Sequence, residues 1–311
     1  MASKTIKTGF AAINRSVKRA LILIIAVLSM QTTLQASAKQ SSKIGGVQIG
    51  TITYSYRSMP DQSIQAILKY AVESGLSSVE LMGGAVEEYA GIPTGSDAAA
   101  VAKWRGSVSM DKFKEIRKMF KAAGVKINIL KLGDYKWSDE EIDYAFNASK
   151  ALGAQGITME ISEEAGKKME PFAEKHHSYI IFHNHGQPGD PKFSFDKVLA
   201  IGPKIMLNLD CGHYYGATGL NPIILSERLH NRIVSLHIKD KTGPKDSDPN
   251  KNQQWGKGTT PLADIFKLIQ TKKYPITCDI ELEYTVPEGS DAVKEVSKCL
   301  DYCRKVITPK K

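Results

Sequence analysis

Short apolar runs alternate with longer amphipathic segments along most of the chain, from about residue 47 to the C-terminal end. A continuous apolar run of about four to eight residues is typical of a parallel strand buried on both faces, whereas apolar spacings of three and four are typical of a helix. The predicted strands are 47–54, 78–82, 125–130, 156–161, 179–183, 205–210, 233–238 and 276–282. The predicted helices are 63–74, 110–123, 138–152, 163–176, 195–201, 222–229, 261–270 and 291–306.

Eight such strand–helix units, without an internal repeat, predict an α/β fold with a single closed (β/α)8 TIM barrel over residues 39–311. The 273 residues of that range are close to the roughly 250 of such barrels. The alternative is an open doubly wound sheet, which a G-x-G-x-x-G turn after the first strand would support. The turn at 54–61 contains no glycine, and this favours the closed barrel.

Two connections are longer than the others. The segment 83–106 is rich in Gly and Ala, and we interpret it as a loop at the site with a short helix near 97–104. The segment 241–258 is polar and contains Gly, Pro, Asp and Lys, which predicts a second long loop over the site.

Four predicted strands end in side chains of the metal-binding type, namely Glu160, Asp210, His237 and Glu281. Each of them alone has an ordinary explanation as a capping or hydrogen-bonded residue. Together they reach one rim, because the C-terminal ends of barrel strands meet where such folds build their sites. Converging carboxylates repel each other strongly unless a cation neutralises them. The pattern therefore predicts one divalent ion, either Mn, Co, Zn or Mg.

Further polar residues near the same rim are predicted to contact a substrate: His183, His185, His213, Lys239, Lys131 and Glu283. His183 and His185 are two apart and therefore face the same way on a strand. The two lysines fit a solvated surface position equally well. Glu283 has the same parity as Glu281 and is the alternative metal ligand, although the earlier position on the strand favours Glu281.

The first 38 residues have the three parts of a secretory signal peptide. Five basic residues precede an apolar run at 20–30, which is too short to span a bilayer, and Ala36-Ser37-Ala38 fits the rule for cleavage. The sequence therefore predicts cleavage after Ala38 and a periplasmic or secreted protein. No cysteine precedes Cys211, so we expect neither a lipoprotein anchor nor another stable attachment to the membrane.

Charge and cysteine content narrow the classes of partner. Beyond the predicted leader, 37 basic and 33 acidic residues remain, a net charge of about +4, which is ordinary for a soluble domain. No basic run is interleaved with aromatic residues, and this argues against nucleic acid as a partner. The four cysteines form no C-x-x-C pair, so a disulfide framework is not expected. A small sugar or keto-sugar is the expected ligand, and the sequence leaves a homo-oligomer open.

The motifs resemble those of the sugar phosphate isomerase/epimerase superfamily with the xylose isomerase-like TIM barrel, which includes inosose dehydratase, ketose 3-epimerases and endonuclease IV. The resemblance covers roughly residues 47–306. Its most specific parts are Glu160, Phe182-His183-Asn184-His185-Gly186, Leu209-Asp210-Cys211-Gly212-His213 with Gly219 beyond, Leu236-His237-Ile238-Lys239-Asp240, Gly256-Lys257-Gly258 and Ile280-Glu281-Leu282-Glu283.

This resemblance implies that Glu160, Asp210, His237 and Glu281 hold the metal, that the two glutamates are acid and base, and that His213 contacts substrate. Position 243 is Gly where ketose 3-epimerases have Arg, which argues against a plain free-ketose epimerase. Glu80 and Lys131 replace the additional strand-end histidines of endonuclease IV, which argues against DNA repair. The predicted export argues against phosphorylated substrates.

The implied activity is that of a metal-dependent sugar isomerase or epimerase, which removes a proton next to a carbonyl through a metal-stabilised enediolate. The same first step serves a lyase or dehydratase acting on 3-keto-glycosides or inososes. An exported barrel that binds sugar without turnover is a third hypothesis. An acid–base pair such as Glu160 and Glu281 argues against this last one, because a binder needs no such pair.

Overall fold

Eight parallel strands form a closed barrel in the computed structural model of the chain, which describes residues 41–95 and 97–308. The strands are β1 Val47–Ile52, β2 Ser78–Met82, β3 Lys126–Lys131, β4 Gly156–Glu160, β5 Tyr179–His183, β6 Ile205–Asp210, β7 Ile233–Ile238 and β8 Thr277–Ile280. Each strand pairs with the next along the chain, and β1 pairs with both β2 and β8, so the sheet closes on itself. The predicted (β/α)8 barrel is confirmed, and the open sheet is excluded.

Helices surround this barrel. They are α1 Ile64–Glu73, α2 Gly83–Ala90, α3 Ala98–Arg105, α4 Asp111–Ala122, α5 Asp139–Leu152, α6 Glu163–Lys175, α7 Phe195–Leu199, α8 Cys211–Thr218, α9 Pro222–Arg228, α10 Leu262–Lys272 and α11 Ala292–Ile307. Local signals account for several ends: Ser138 caps α5 in a capping box with Glu141, as the sequence predicts. The helices α2 and α8 were not predicted, and both begin directly at the end of a barrel strand.

The barrel interior is apolar in one part and polar in another. A small buried cluster of Ile129, Ile181 and Val234 lies apart from the main core, which fills the layer between strands and helices. Other inward residues are polar and fully buried, including Glu80, Asn128, Asn208, Ser235 and Asp279. Buried polar groups require hydrogen-bond partners, so this interior constrains the side chains that project from it toward the rim.

The long connection at 241–258 is anchored to the barrel by Asp240. Its carboxylate accepts hydrogen bonds from the backbone N–H groups of Gly256 and Gly258, at 2.8 and 2.9 Å. A short antiparallel ribbon joins Asp240–Lys241 to Asn252–Gln253. The Gly256-Lys257-Gly258 segment is therefore a turn that Asp240 holds in place.

Arg105 joins the helices of the other long connection. Its guanidinium contacts Glu87 of α2 at 2.8 Å and Glu141 of α5 at 3.1 Å, and it lies 3.8 Å from the ring centre of Trp137. The Arg105 side chain is only 13% exposed, so its loss leaves two carboxylates without a cation in a largely desolvated place.

Arg105→Ala is expected to lower the free energy of unfolding by about 3 kcal/mol, because it breaks a mostly buried ion pair on one side only. Urea unfolding measures this change. Arg304→Ala is the control, since Arg304 pairs with Asp301 in the open, with side-chain exposures of 52% and 60%, and should cost about 0.5 kcal/mol or less. Equal losses in the two variants would contradict the structural role of Arg105.

The predicted leader, residues 1–38, lies outside the described residues. Within the described part of the chain, no helix has both the length and the apolar character needed to cross a bilayer. All four cysteines are free and buried.

Candidate metal centre and active site

The end of β6 brings together three site residues, Asp210, His213 and Lys239. Asp210 is the last residue of the strand and also caps α8, because its Oδ1 accepts a hydrogen bond of 2.7 Å from the N–H of His213. Gly212 lies against the neighbouring strand end, where a Cβ would stand 2.3 Å from Cγ of Lys239. Only glycine allows this approach, and the Leu209-Asp210-Cys211-Gly212-His213 motif thereby sets Asp210 beside Lys239.

A compact group of four side chains lies at this rim: His183, Asp210, His237 and Glu281. Their donor atoms all fall within 4.8 Å of one another, and all four residues are buried. His183 Nε2 lies 3.3 Å from Asp210 Oδ2 and 3.9 Å from Glu281 Oε2. His237 Nδ1 lies 2.8 Å from Glu281 Oε2.

Two atoms of this group, His237 Nδ1 and Glu281 Oε2, are buried and face each other. Within the described residues neither makes a hydrogen bond of acceptable geometry, although Glu281 Oε2 lies 2.7 Å from the ammonium of Lys239. Two imidazole nitrogens and two carboxylate oxygens that converge in this way match the donor preferences of Zn, Mn and Co. The residues present therefore fit a divalent cation.

Lys239 provides a fixed positive charge beside the group. Its buried Nζ contacts Asp210 at 2.9 Å, Glu281 at 2.7 Å and Glu283 at 2.6 Å. Burial alone would lower the pKa of Lys239, but the three carboxylates hold it well above the ordinary range. The geometry also separates the two glutamates left open by the sequence: Glu281 belongs to the four-residue group, and Glu283 contacts Lys239, His213 and Asn252.

Glu160 belongs to a second, more open group that shares His183 with the first. The Glu160 side chain is 49% exposed; it contacts Nδ1 of His185 at 2.7 Å, Lys131 at 3.3 Å and Nδ1 of His183 at 3.7 Å. His183 thus has Nδ1 toward Glu160 and Nε2 toward Asp210 and Glu281. Register explains this position, because Glu160 on β4 lies level with His183 on β5.

His213 closes the rim on another side. Its ring centre lies 4.7 Å from that of His185, and its Nε2 is 3.6 Å from Glu283. Burial is the main cause that lowers the pKa of His213 to about 4. His213 is therefore a neutral side chain at pH 7, suited to hydrogen bonding with a neutral ligand.

Three carboxylates of the site, Asp210, Glu281 and Glu160, are held in their ionised form. Burial alone would raise their pKa, but neighbouring positive charges and hydrogen bonds outweigh it and lower the pKa of all three. The charge of Lys239 acts on Asp210 and Glu281, whereas hydrogen bonds from His183 and His185 and the charge of Lys131 act on Glu160. An excess of anionic oxygen close to the imidazoles is the electrostatic setting that favours a divalent cation.

Glu80 is a residue of this region for which no role in the site was predicted from the sequence. It lies on β2, fully buried, with Oε2 only 2.6 Å from Nε2 of His237. From the sequence it stood out only where endonuclease IV has a strand-end histidine and as a carboxylate within an apolar strand. Glu80 lies two residues before the end of that strand, inside the barrel.

Three predicted ligands, Asp210, His237 and Glu281, lie together as expected. The fourth member of the compact group is His183, which the sequence predicted as a substrate contact. The ligand role of Glu160 stays a prediction, as do the substrate roles of His185, His213, Lys239, Lys131 and Glu283. All of these side chains reach the same rim.

Fold and site together define a (β/α)8 barrel with a candidate divalent-metal centre at the C-terminal ends of its strands. Residues 68–303 match the family model described as xylose isomerase-like TIM barrel. The chain belongs to this family, which confirms the resemblance seen in its motifs. No curated protein matches the chain.

Solved structures share this fold at low sequence identity. A sugar phosphate isomerase/epimerase from Parabacteroides distasonis is 19% identical, with a TM-score of 0.58 over 86% of this chain and 97% of that one. The 3-keto-D-glucoside 4-epimerase of E. coli is 14% identical, with a TM-score of 0.59 over 83% and 99%. The probable 3-DHS dehydratase of Bacillus anthracis is 13% identical, with a TM-score of 0.61 over 85% and 100%.

Proposed function

We propose that the protein is a divalent-metal-dependent isomerase or epimerase that removes a proton next to the carbonyl of a sugar-like substrate. The observation that carries this proposal is the juxtaposition of two groups: the buried His183, Asp210, His237 and Glu281, and the solvent-open Glu160 with His185. The first has the donor set of a metal centre, and the second has a base with access to substrate.

The contact distances support His183, Asp210, His237 and Glu281 as the residues that hold the ion. When bound, a divalent metal polarises a carbonyl oxygen and stabilises negative charge on it. Lys239 adds a fixed positive charge beside Asp210 and Glu281. Its three N–H donors face Asp210, Glu281 and Glu283, so a hydrogen bond to a substrate hydroxyl would replace one of these contacts.

Glu160 is the base that the geometry favours on the open side of the site. Its low pKa keeps it ionised, and its half-exposed carboxylate is available to a C–H group of a substrate. Nδ1 of His185, at 2.7 Å, holds this carboxylate in place by a hydrogen bond. Glu281 is the second carboxylate, and the ring of His183 lies between the two.

A lyase or dehydratase acting on 3-keto-glycosides or inososes shares the same proton removal. Similarity of fold to a 3-keto-D-glucoside 4-epimerase and to a probable 3-DHS dehydratase supports keeping this second candidate. In a lyase or dehydratase, a leaving group departs from the neighbouring carbon after proton removal. In an isomerase or epimerase, the proton returns to the substrate.

Incubation with keto-sugars in D2O tests the proposal. Free ketoses, 3-keto-glycosides and inososes would be incubated with protein and Mn²⁺, Co²⁺, Zn²⁺ or Mg²⁺, and deuterium uptake and products followed by NMR. We expect uptake at the carbon next to the carbonyl, and its loss with EDTA. Rearranged products indicate an isomerase or epimerase, and eliminated products a lyase. Sugar binding without uptake would contradict the proposal and indicate a non-catalytic sugar-binding barrel.

We further propose that the chain is exported and cleaved after Ala38. The support is the basic start, the short apolar run and the Ala36-Ser37-Ala38 motif. Mass spectrometry of protein from a periplasmic or secreted fraction should give an N-terminus at Lys39. A full-length protein confined to the cytoplasm would contradict this prediction.

A further inference from the structure

The carboxylate of Glu80 has three buried partners, each on a different strand. Oε1 accepts a hydrogen bond of 2.7 Å from Thr158 Oγ1 on β4. Oε2 accepts one of 2.7 Å from Asn208 Nδ2 on β6, and it lies 2.6 Å from Nε2 of His237 on β7. Glu80 and His237 are both 0% exposed, so these contacts are shielded from solvent.

This arrangement fixes the orientation of the His237 ring. With Nε2 turned to Glu80, the other ring nitrogen, Nδ1, is the one that faces Glu281 and the four-residue group. A neutral imidazole donates from one nitrogen and offers a lone pair at the other. A hydrogen bond from Nε2–H to Glu80 therefore leaves the lone pair on Nδ1, which points toward the candidate metal position.

A carboxylate at the far nitrogen of a metal-binding imidazole is a recurrent device that orients the ring and increases its basicity. Glu80 has the features that this role requires. It lies deeper in the barrel than the four-residue group, and Thr158 and Asn208 hold it in place.

We propose that Glu80 is a positioning residue that makes Nδ1 of His237 the coordinating atom of the metal centre. This inference rests on the proposed function, because it requires that the four-residue group binds a metal. Glu80 itself touches neither ion nor substrate and acts through His237.

Co²⁺ binding to the mature protein tests this role independently of activity. Affinity would be measured by competition with a chelator, and coordination by the visible absorption of bound Co²⁺. Glu80→Gln and Glu80→Ala are expected to raise the Kd for Co²⁺ by about 10- to 100-fold, with alanine the larger, as for other outer carboxylates. The absorption bands should also shift, because the ring is no longer held.

Asp279→Asn is the matched control. Asp279 is another fully buried carboxylate inside the barrel, level with His237 on the neighbouring strand, but its hydrogen bond goes to Ser235. The control should leave the Kd and the spectrum near wild type, whatever it does to thermal stability. Unfolding in EDTA measures that stability for every variant, so folding and metal binding are read separately.

The outcomes separate the two proposals. Wild-type Kd and spectrum in a folded Glu80→Gln variant would overturn the positioning role and leave the metal centre standing. A lower Tm in EDTA with unchanged Co²⁺ binding would show that Glu80 serves the fold alone, which also overturns it. Absence of Co²⁺ binding to the wild-type protein would overturn both the metal centre and the role of Glu80.

Discussion

Asp210→Asn is expected to raise the Kd for a divalent ion by at least about 10²-fold, since even outer partners of a metal site are worth 10- to 100-fold and Asp210 lies in the donor group itself. Loss of the Asp210 charge also removes one of the carboxylates that pair with the buried ammonium of Lys239, which then keeps its contact with Glu281. Metal content after purification and calorimetric titration with Mn²⁺, Co²⁺ and Zn²⁺ measure the change. Asparagine is chosen because its side-chain oxygen can still cap α8.

Asp291→Asn is the control for that cap. Asp291 caps α11 in the same way, through a hydrogen bond of 2.8 Å from the N–H of Lys294, and it lies outside the site. This variant should bind metal as the wild type does. Normal metal binding by Asp210→Asn, or absence of metal in the wild type with no uptake of any of the three ions, would refute the centre.

Glu281→Gln and Glu160→Gln are each expected to lower kcat by at least about 10²-fold, the usual contribution of a general acid or base. The change keeps the size of the side chain and removes its ability to take a proton. Deuterium uptake should be lost in at least one variant. Glu281 also lies in the metal donor group, so both variants are assayed at saturating metal. The remaining defect then lies in the chemical step, and KM should change much less than kcat.

Glu295→Gln supplies the comparison for the loss of a buried carboxylate. Outside the site, the Glu295 carboxylate accepts hydrogen bonds from Tyr284, Ser290 and Lys298. Its replacement should therefore lower Tm but not kcat. If Glu160→Gln and Glu281→Gln keep their metal and exchange protons at near wild-type rates, the two-carboxylate mechanism is wrong. Lys239, Lys131 and His185 then become the candidate bases.

The barrel could be predicted from the sequence because its strands are buried on both faces. That burial makes most positions of each strand apolar, although inward positions such as Asn128, Ser235 and Asp279 are polar. All eight strands were located within a few residues of their observed bounds. The helix α2 was missed because it begins with Gly83-Gly84, which have poor intrinsic helix propensity. Close packing against Leu132 requires glycine at this position, because a Cβ at Gly83 would stand 2.7 Å from the Leu132 side chain.

The sequence was sufficient to predict which residues lie at the rim, but not which of their side chains contact each other. Strand ends place Glu160, His183, Asp210, His237 and Glu281 on five consecutive strands. Which four of them converge depends on register and side-chain reach, which a single sequence does not encode locally. Glu80 shows the same limit, because its importance follows from a contact with His237 across 157 positions.

The four buried thiols can be used to measure local opening of the barrel. Cys211 starts α8, Cys278 lies on β8, and Cys299 and Cys303 lie on α11, so the four thiols report on three segments of the barrel wall. Burial raises the pKa of all four, and a protonated thiol reacts slowly with alkylating reagents. Labelling rates in native buffer therefore measure how often each wall segment separates from the rest.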